Sequence, residues 1–260
     1  MNFIYKVLSY YSCLKSHKEL KQYHNVNKQK RAFLVGSGPS LTLEDLNKLK
    51  NEITFACNKI YLLFNQTDWK PTYYCVIDRL VAENNKHEVD ELYLTKFFNQ
   101  SIWTYFRHSP GIHWIHDRPA PLKDGRPVIG FSDDIIKGTY GGFTVIYTML
   151  QIAYFMGIQE VYLLGIDFSF QIAEKSGEKT DAGEVILENK GENNHFHPKY
   201  RKLGEKWTYP QLDRQYEAFQ TAKNFYEKNG RKIFNASRAT KLDIFPRVNL
   251  DEVLKLRQIK

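Results

Sequence analysis

Two histidines stand close together in the segment Asn193-Asn194-His195-Phe196-His197-Pro198-Lys199-Tyr200. An imidazole titrates near working pH, so His195 or His197 could take the proton of an attacking hydroxyl. Two residues apart, the pair could instead hold a metal, but no carboxylate or cysteine nearby completes a recognisable ligand set. A third reading leaves both rings at the surface without a role. Far upstream, Gly36-Ser37-Gly38-Pro39-Ser40 follows an apolar run and precedes a helical pattern. There glycines let the backbone approach an anion, and amides can donate to phosphate. The loop lacks the third glycine of the dinucleotide fingerprint and the Gly-Lys-Ser/Thr of a Walker loop, and a plain strand-to-helix turn would look the same. Gly141-Gly142-Phe143-Thr144 has the same ambiguity. Asn58, Asp78 and Asp167 each close an apolar run; they could meet base, sugar or ribose hydroxyls, or cap strand ends. Asp167 either touches the ligand or holds the loop that follows it. No Asp-x-Asp occurs to hold a divalent ion against a diphosphate. Metal-free chemistry is therefore expected, with Lys199, Tyr200, Arg201 or Lys206 neutralising a leaving phosphate.

These residues need a scaffold, and the apolar pattern supplies one. Ala32-Phe33-Leu34-Val35 reads as a strand running into the glycine loop, followed by a helix with Thr42 and Asp45 in capping-box spacing. Ile53 to Asn58 and Tyr73 to Asp78 read as further strands ending in polar residues, and Ile102 to Phe106 and His113 to Ile115 as short strands. Phe143 to Met156 reads as an apolar helix closed by Gly157, and Val161 to Asp167 as a buried strand. Strand, helix, strand in this order is the grammar of a parallel sheet, whose ligands bind beyond the carboxyl ends of the strands. Ser169 to Pro210 turns polar and reads as a lid loop or an insertion. A helix marked by Leu212, Tyr216, Phe219 and Tyr226, stopped at Asn229-Gly230, and a last strand at Lys232 to Asn235 close the pattern.

The 260 residues carry a formal charge of +8, which favours an anionic partner, while no nucleic-acid motif accompanies the scattered lysines and arginines. Cys13, Cys57 and Cys75 form no CxxC pair, as expected in a reducing compartment. No secretory leader and no apolar stretch of roughly 18 residues is found, so a cytoplasmic location is expected. Residues 1–28 read as an amphipathic arm, with Phe3, Ile4, Val7, Leu8, Tyr11 and Leu14 at helical spacing among Lys6, Lys15, Lys18 and Lys21. The arm either packs on the main domain, residues 29–260 with a lid at about 169–210, or docks peripherally on the anionic inner membrane. A homo-oligomer is compatible with the sequence.

In this order the motifs resemble the bacterial sialyltransferases of glycosyltransferase family 42: Gly-Ser-Gly-Pro-Ser-Leu, Phe-Ala-Cys-Asn58, the helix from Thr144, Gly-Ile-Asp167-Phe168 and Asn-Asn-His195-Phe. The resemblance implies a Rossmann-like, mostly parallel α/β sheet with helices on both faces, a variant of the nucleotide-sugar transferase fold. It also implies a CMP-linked sugar donor, a glycan acceptor, metal independence, no tightly bound cofactor and a mobile lid. Ser37 stands where that family places an asparagine facing the donor phosphate, Asn58 is retained, and Thr144 falls at the helix start that meets the nucleotide. His195 matches a lid histidine; His197 takes the place of the family's base only with a gap, and Ser169 occupies the position of a phosphate-binding tyrosine. The same glycine motifs, with Ile-Phe-Asn235-Ala-Ser and Phe245-Pro246-Arg247, are similar to the group of archaeal 6-hydroxymethylpterin diphosphokinase and proteins of bacterial surface-polysaccharide loci. That resemblance implies diphosphate transfer from ATP with magnesium. A binding module that keeps the fold without turnover is the non-enzymatic alternative.

Overall fold

The computed structural model describes residues 3–106, 109–173, 175–179 and 185–255. Helix α1 (Phe3–Leu20) leads through a 3-10 turn into β1 (Arg31–Val35), α2 (Leu43–Lys48), β2 (Ile53–Cys57) and β3 (Tyr73–Val76). Then come α3 (Arg79–Asn84), α4 (Lys86–Asp90), β4 (Thr95–Asn99), α5 (Trp103–Phe106), β5 (Ile112–Ile115) and a small hairpin of β6 (Leu122–Lys123) and β7 (Arg126–Pro127). Helix α6 (Val145–Phe155) and β8 (Glu160–Leu164) precede β9 (Lys175–Lys179), β10 (Val185–Glu188) and β11 (Lys206–Thr208). The chain closes with α7 (Leu212–Lys228), β12 (Lys232–Asn235) and α8 (Leu250–Lys255).

Seven strands form one parallel sheet in the order β12-β8-β1-β2-β3-β4-β5. The fold is α/β and Rossmann-like. Side chains alternate across each strand, so Ala32 and Leu34 pack under α6 and α7, whereas Phe33 and Val35 face the opposite layer with Leu46 of α2 and Val253 of α8. Both faces are buried, which is why the strands read as continuous apolar runs. From β1 the chain winds outward through β5 and then returns to lay β8 and β12 on the other side. The order therefore reverses between β1 and β8, at the crevice where such sheets take ligands.

Two expectations change, and the arm is partly described. Ile102 to Phe106 is helical, a 3-10 turn running into α5, and the strand in that region is β4, disguised by Lys96. Lys96 is buried and donates to the Asp90 carbonyl at 3.2 Å, a partner that a pattern of residue types does not display. The polar stretch over 169–210 is more than a loop: β9, β10 and β11 form an antiparallel sheet of three strands. Finally, α1 runs beside the edge strand β5, where Leu20 is buried and the buried Ser16 hydroxyl accepts the Trp114 amide at 2.9 Å. Of the apolar positions expected on this arm, Val7, Tyr11 and Leu14 are exposed; the side chains of Phe3, Ile4, Lys6, Leu8 and Cys13 lie outside the described residues. Among the described residues no helix is long and apolar enough to cross a membrane.

Candidate functional site

The glycine loop is pinned to β8. The Gly36 amide donates to the Leu164 carbonyl and the Gly38 amide to the Gly165 carbonyl, each at 2.8 Å. Asp167 completes the attachment: its carboxylate accepts the Ser40 amide at 2.8 Å and, in a very short contact, the Ser40 hydroxyl. The glycines are sterically required, since a Cβ on Gly36 would lie 2.6 Å from the Gly165 carbonyl oxygen and one on Gly38 2.5 Å from Asp167 Oδ1. This narrows the anion-cradle expectation. The amides of Gly36, Gly38 and Ser40 are spent inside the fold, Pro39 has none, and Asp167 braces the loop before it rather than the loop after it.

The other strand ends divide. Asn58 follows β2 with φ of +52°, a left-handed conformation, and its Oδ1 is buried without a hydrogen-bond partner. Asp78 caps α3 through the Val81 amide at 3.0 Å and accepts the Thr208 hydroxyl of β11 at 3.1 Å. Thr144 caps α6 through the Ile146 amide at 3.3 Å, while Gly142 leaves room for the Tyr147 ring. Phe143 between them carries the Arg214 guanidinium of α7 over its ring at 4.8 Å. Helix α6 begins at the carboxyl edge of the sheet, yet these contacts tie Gly142 and Thr144 to α6 and α7 rather than to the glycine loop.

The segment from Asn189 to Thr208 closes over the ends of β1, β2 and β3. The Ser37 carbonyl accepts the Phe196 amide at 3.1 Å and lies 3.2 Å from His195 Nδ1, and the Ser37 hydroxyl lies 3.1 Å from the Tyr200 hydroxyl. Lys59, next to Asn58, pairs with Glu205 at 2.7 Å, both side chains nearly buried. Between Pro39 and this segment lies a cavity of about 390 Å³, onto which His195, His197, Tyr200 and Arg201 open.

Geometry assigns the imidazoles different states. A carbonyl only accepts, so His195 Nδ1 carries the proton and Nε2 keeps its lone pair; Nε2 is buried and has no partner. Burial holds the His195 pKa well below the ordinary histidine value, aided by the charges of Arg201 and Lys59, while the Ser37 carbonyl acts in the opposite sense. His195 also stacks on Tyr200, with centroids 3.7 Å apart. His197 points its Nδ1 lone pair at the Lys199 amide, 3.1 Å away. Tyr200, expected to serve a phosphate, is instead a buried strut between Ser37 and His195, and burial pushes its hydroxyl up to about 12. Lys199 is exposed. Arg201 carries its guanidinium carbon over the Trp207 indole, 3.8 Å from the ring centroid, and Trp207 stacks in turn on Phe170. Lys59, Glu205 and Trp207 were absent from the sequence-derived set. Lys59 could have been suspected from its place after Asn58, whereas Glu205 and Trp207 carry no local signal.

The comparisons with known proteins come from two directions. A family model described as 6-hydroxymethylpterin diphosphokinase MptE-like matches residues 6–173. That span holds the glycine loop, Asn58, Asp78, Thr144 and Asp167 and stops before His195. Among curated proteins none matches. Among solved structures the MAf glycosyltransferase from Magnetospirillum magneticum AMB-1 is similar, at 13% identity and a TM-score of 0.50, over 94% of this chain and 41% of that one. The chain thus spans about two fifths of the length of that structure, and at this identity the likeness is one of fold.

Proposed function

Because this chain belongs to the 6-hydroxymethylpterin diphosphokinase MptE-like family, with a fold like that of a glycosyltransferase, we propose that it is a nucleotide-dependent transferase. Its reaction is the transfer of a glycosyl group from a nucleotide-activated sugar, with a CMP-linked donor as the first candidate, to a hydroxyl of a bacterial surface glycan. One observation carries this reading: a neutral imidazole fixed in a single tautomer on the glycine loop, with its free lone pair buried beside the cavity. In the proposed step the acceptor oxygen bonds to the anomeric carbon and its proton passes to His195 Nε2. The bond from that carbon to the phosphate oxygen breaks, and the nucleotide leaves with the electron pair. His195 is favoured over His197, whose Nδ1 is engaged by a backbone amide.

The second reading, diphosphate transfer from ATP, is favoured by the family description. Divalent ions on such phosphates usually also need one or two free carboxylates. The carboxylates of Asp78 and Asp167 are spent on hydrogen bonds from the chain, and among the described residues no three His, Cys, Asp or Glu side chains converge. The residues present therefore fit magnesium poorly. A thermal-shift panel of CMP, CDP, UDP, GDP and ATP, with magnesium or with chelator, separates the readings. Stabilisation by CMP in chelator supports glycosyl transfer, a response confined to magnesium-ATP supports the diphosphokinase, and binding without turnover identifies a binding module. Once a reaction is found, His195→Ala lowers its rate about 100-fold or more, the usual worth of a general base. Equal turnover by wild type and His195→Ala would reject the base.

A further inference from the structure

With the Gly36, Gly38 and Ser40 amides committed to Leu164, Gly165 and Asp167, the glycine loop has few donors left for an anion in the cavity, which needs a positive partner. Arg201 is the group so placed. Three carboxylates act on it through space, namely Glu205, Asp78 and Glu192. Each is occupied: Glu205 by the Lys59 ammonium, Asp78 by Val81 and Thr208, Glu192 by the amides of Lys190 and Ala173 at 2.8 and 3.3 Å. Among the described residues Arg201 makes no ion pair and no side-chain hydrogen bond. It is nevertheless partly buried, with its guanidinium carbon over the Trp207 ring. Beside it, the Trp207 Nε1 donor is buried without a partner. A planar guanidinium with a fixed orientation and idle donors suits the oxygens of a phosphate.

Building on the nucleotide-transferase reading, we propose that Arg201, seated on Trp207, is the phosphate-binding residue of this site, and that filling it readies His195 to accept a proton. The charged and titratable groups around His195 are Arg201 and Lys59, which oppose its protonation, and Tyr200, which stacks on it. Glu205 already compensates Lys59, so Arg201 is the uncompensated cation. Burial is the main cause of the depressed His195 pKa and persists; a bound phosphate cancels the Arg201 share, so the pKa rises part of the way and Nε2 becomes a stronger base. The coupling is reciprocal: phosphate binds more tightly once His195 is protonated, so affinity grows as pH falls through the His195 titration.

Calorimetry with inorganic phosphate, CMP and cytidine, together with NMR titration of the His195 ring, tests this on the full chain. Wild type binds phosphate and CMP, with cytidine at least about tenfold weaker. Arg201→Gln loses about tenfold or more for phosphate and CMP and leaves cytidine unchanged, and the exposed control Lys202→Gln behaves as wild type. Saturating phosphate moves the His195 titration upward in wild type; in Arg201→Gln it begins higher and does not respond. Should Arg201→Gln disturb the fold, the wild-type titration with and without phosphate decides alone. An unchanged affinity in folded Arg201→Gln, or a His195 titration indifferent to phosphate, overturns the proposal. Phosphate binding that needs Arg201 but no affinity for any nucleotide would leave the proposal standing and remove the transferase reading. Tight CMP binding indifferent to Arg201 would do the reverse.

Discussion

Asp167 offers the sharpest separation between a bracing role and a ligand contact. Its carboxylate holds two donors of Ser40 while the backbone before it holds Gly36 and Gly38, so the loop hangs on β8 by four hydrogen bonds, two of them charge-assisted. Bonds to an ionised group contribute about 1.5 to 3 kcal/mol each and do not add fully. Asp167→Ala removes both and leaves the Ser40 amide short of an acceptor, which sets the expected loss at about 3 kcal/mol. Asp167→Asn can still accept the amide through Oδ1 and donate to the hydroxyl through Nδ2, so about 1 kcal/mol is lost. For a domain of this size each kcal/mol lowers Tm by about 2 to 4 °C, giving drops of roughly 6 to 12 °C and 2 to 4 °C. Differential scanning calorimetry reads both, and nucleotide affinity is measured alongside. A graded loss of Tm, with affinity in Asp167→Asn near wild type, is the expected result. The bracing argument is refuted if Asp167→Asn keeps its Tm yet loses nucleotide binding, because the carboxylate would then be serving the ligand.

Gly38→Ala, whose new Cβ meets Asp167 and a backbone carbonyl with no flexible neighbour to yield, should cost about 1 to 3 kcal/mol and loosen the segment docked on Ser37, visible as faster amide exchange at Phe196. Glu205→Gln strands the nearly buried Lys59 ammonium and should cost about 3 kcal/mol in urea unfolding, with part of it recovered on adding Lys59→Met. Burial depresses the pKa values of His17 and His113, which lie between α1 and the sheet; His116 adds to the effect at His17, and Glu19 opposes it at His113. A histidine with a lowered folded-state pKa gives stability that is complete above its unfolded value, near 6.5, and is lost as pH falls through 6.5 toward the folded value. Amide protection across α1, taken relative to the base-catalysed intrinsic exchange rate, should therefore fall between about pH 7 and 5, and protection that stays flat would contradict the assignment. Burial pushes the Cys57 thiol up to about 12, so it should resist alkylation at pH 8 until the protein is unfolded.

Much of the fold follows from local order in the chain. The runs Ala32–Val35, Ile53–Cys57 and Val161–Leu164 announce buried parallel strands, because a strand covered on both faces needs apolar side chains at every position. The glycines of Gly36–Ser40 and the Thr42 cap mark the turn into α2. For the same reason Asn58, Asp78 and Asp167 could be placed at strand ends: the apolar run stops where burial stops. Lys96 hid β4, since a lysine in a strand looks polar until the carbonyl that accepts its ammonium is known.

The sequence by itself thus determined the parallel α/β scaffold, its glycine loop and the histidine-bearing segment that serves it. The roles of the polar groups were decided only by tertiary structure, because a hydrogen bond between distant residues is invisible to spacing. Asp167 became a brace when Ser40 came within reach of it, Tyr200 became a strut when it met Ser37, and one imidazole was given a free lone pair by a carbonyl some 158 positions away in the chain. Arg201 was one basic residue among several until folding set it over Trp207 and gave the carboxylates of Glu205, Asp78 and Glu192 other partners.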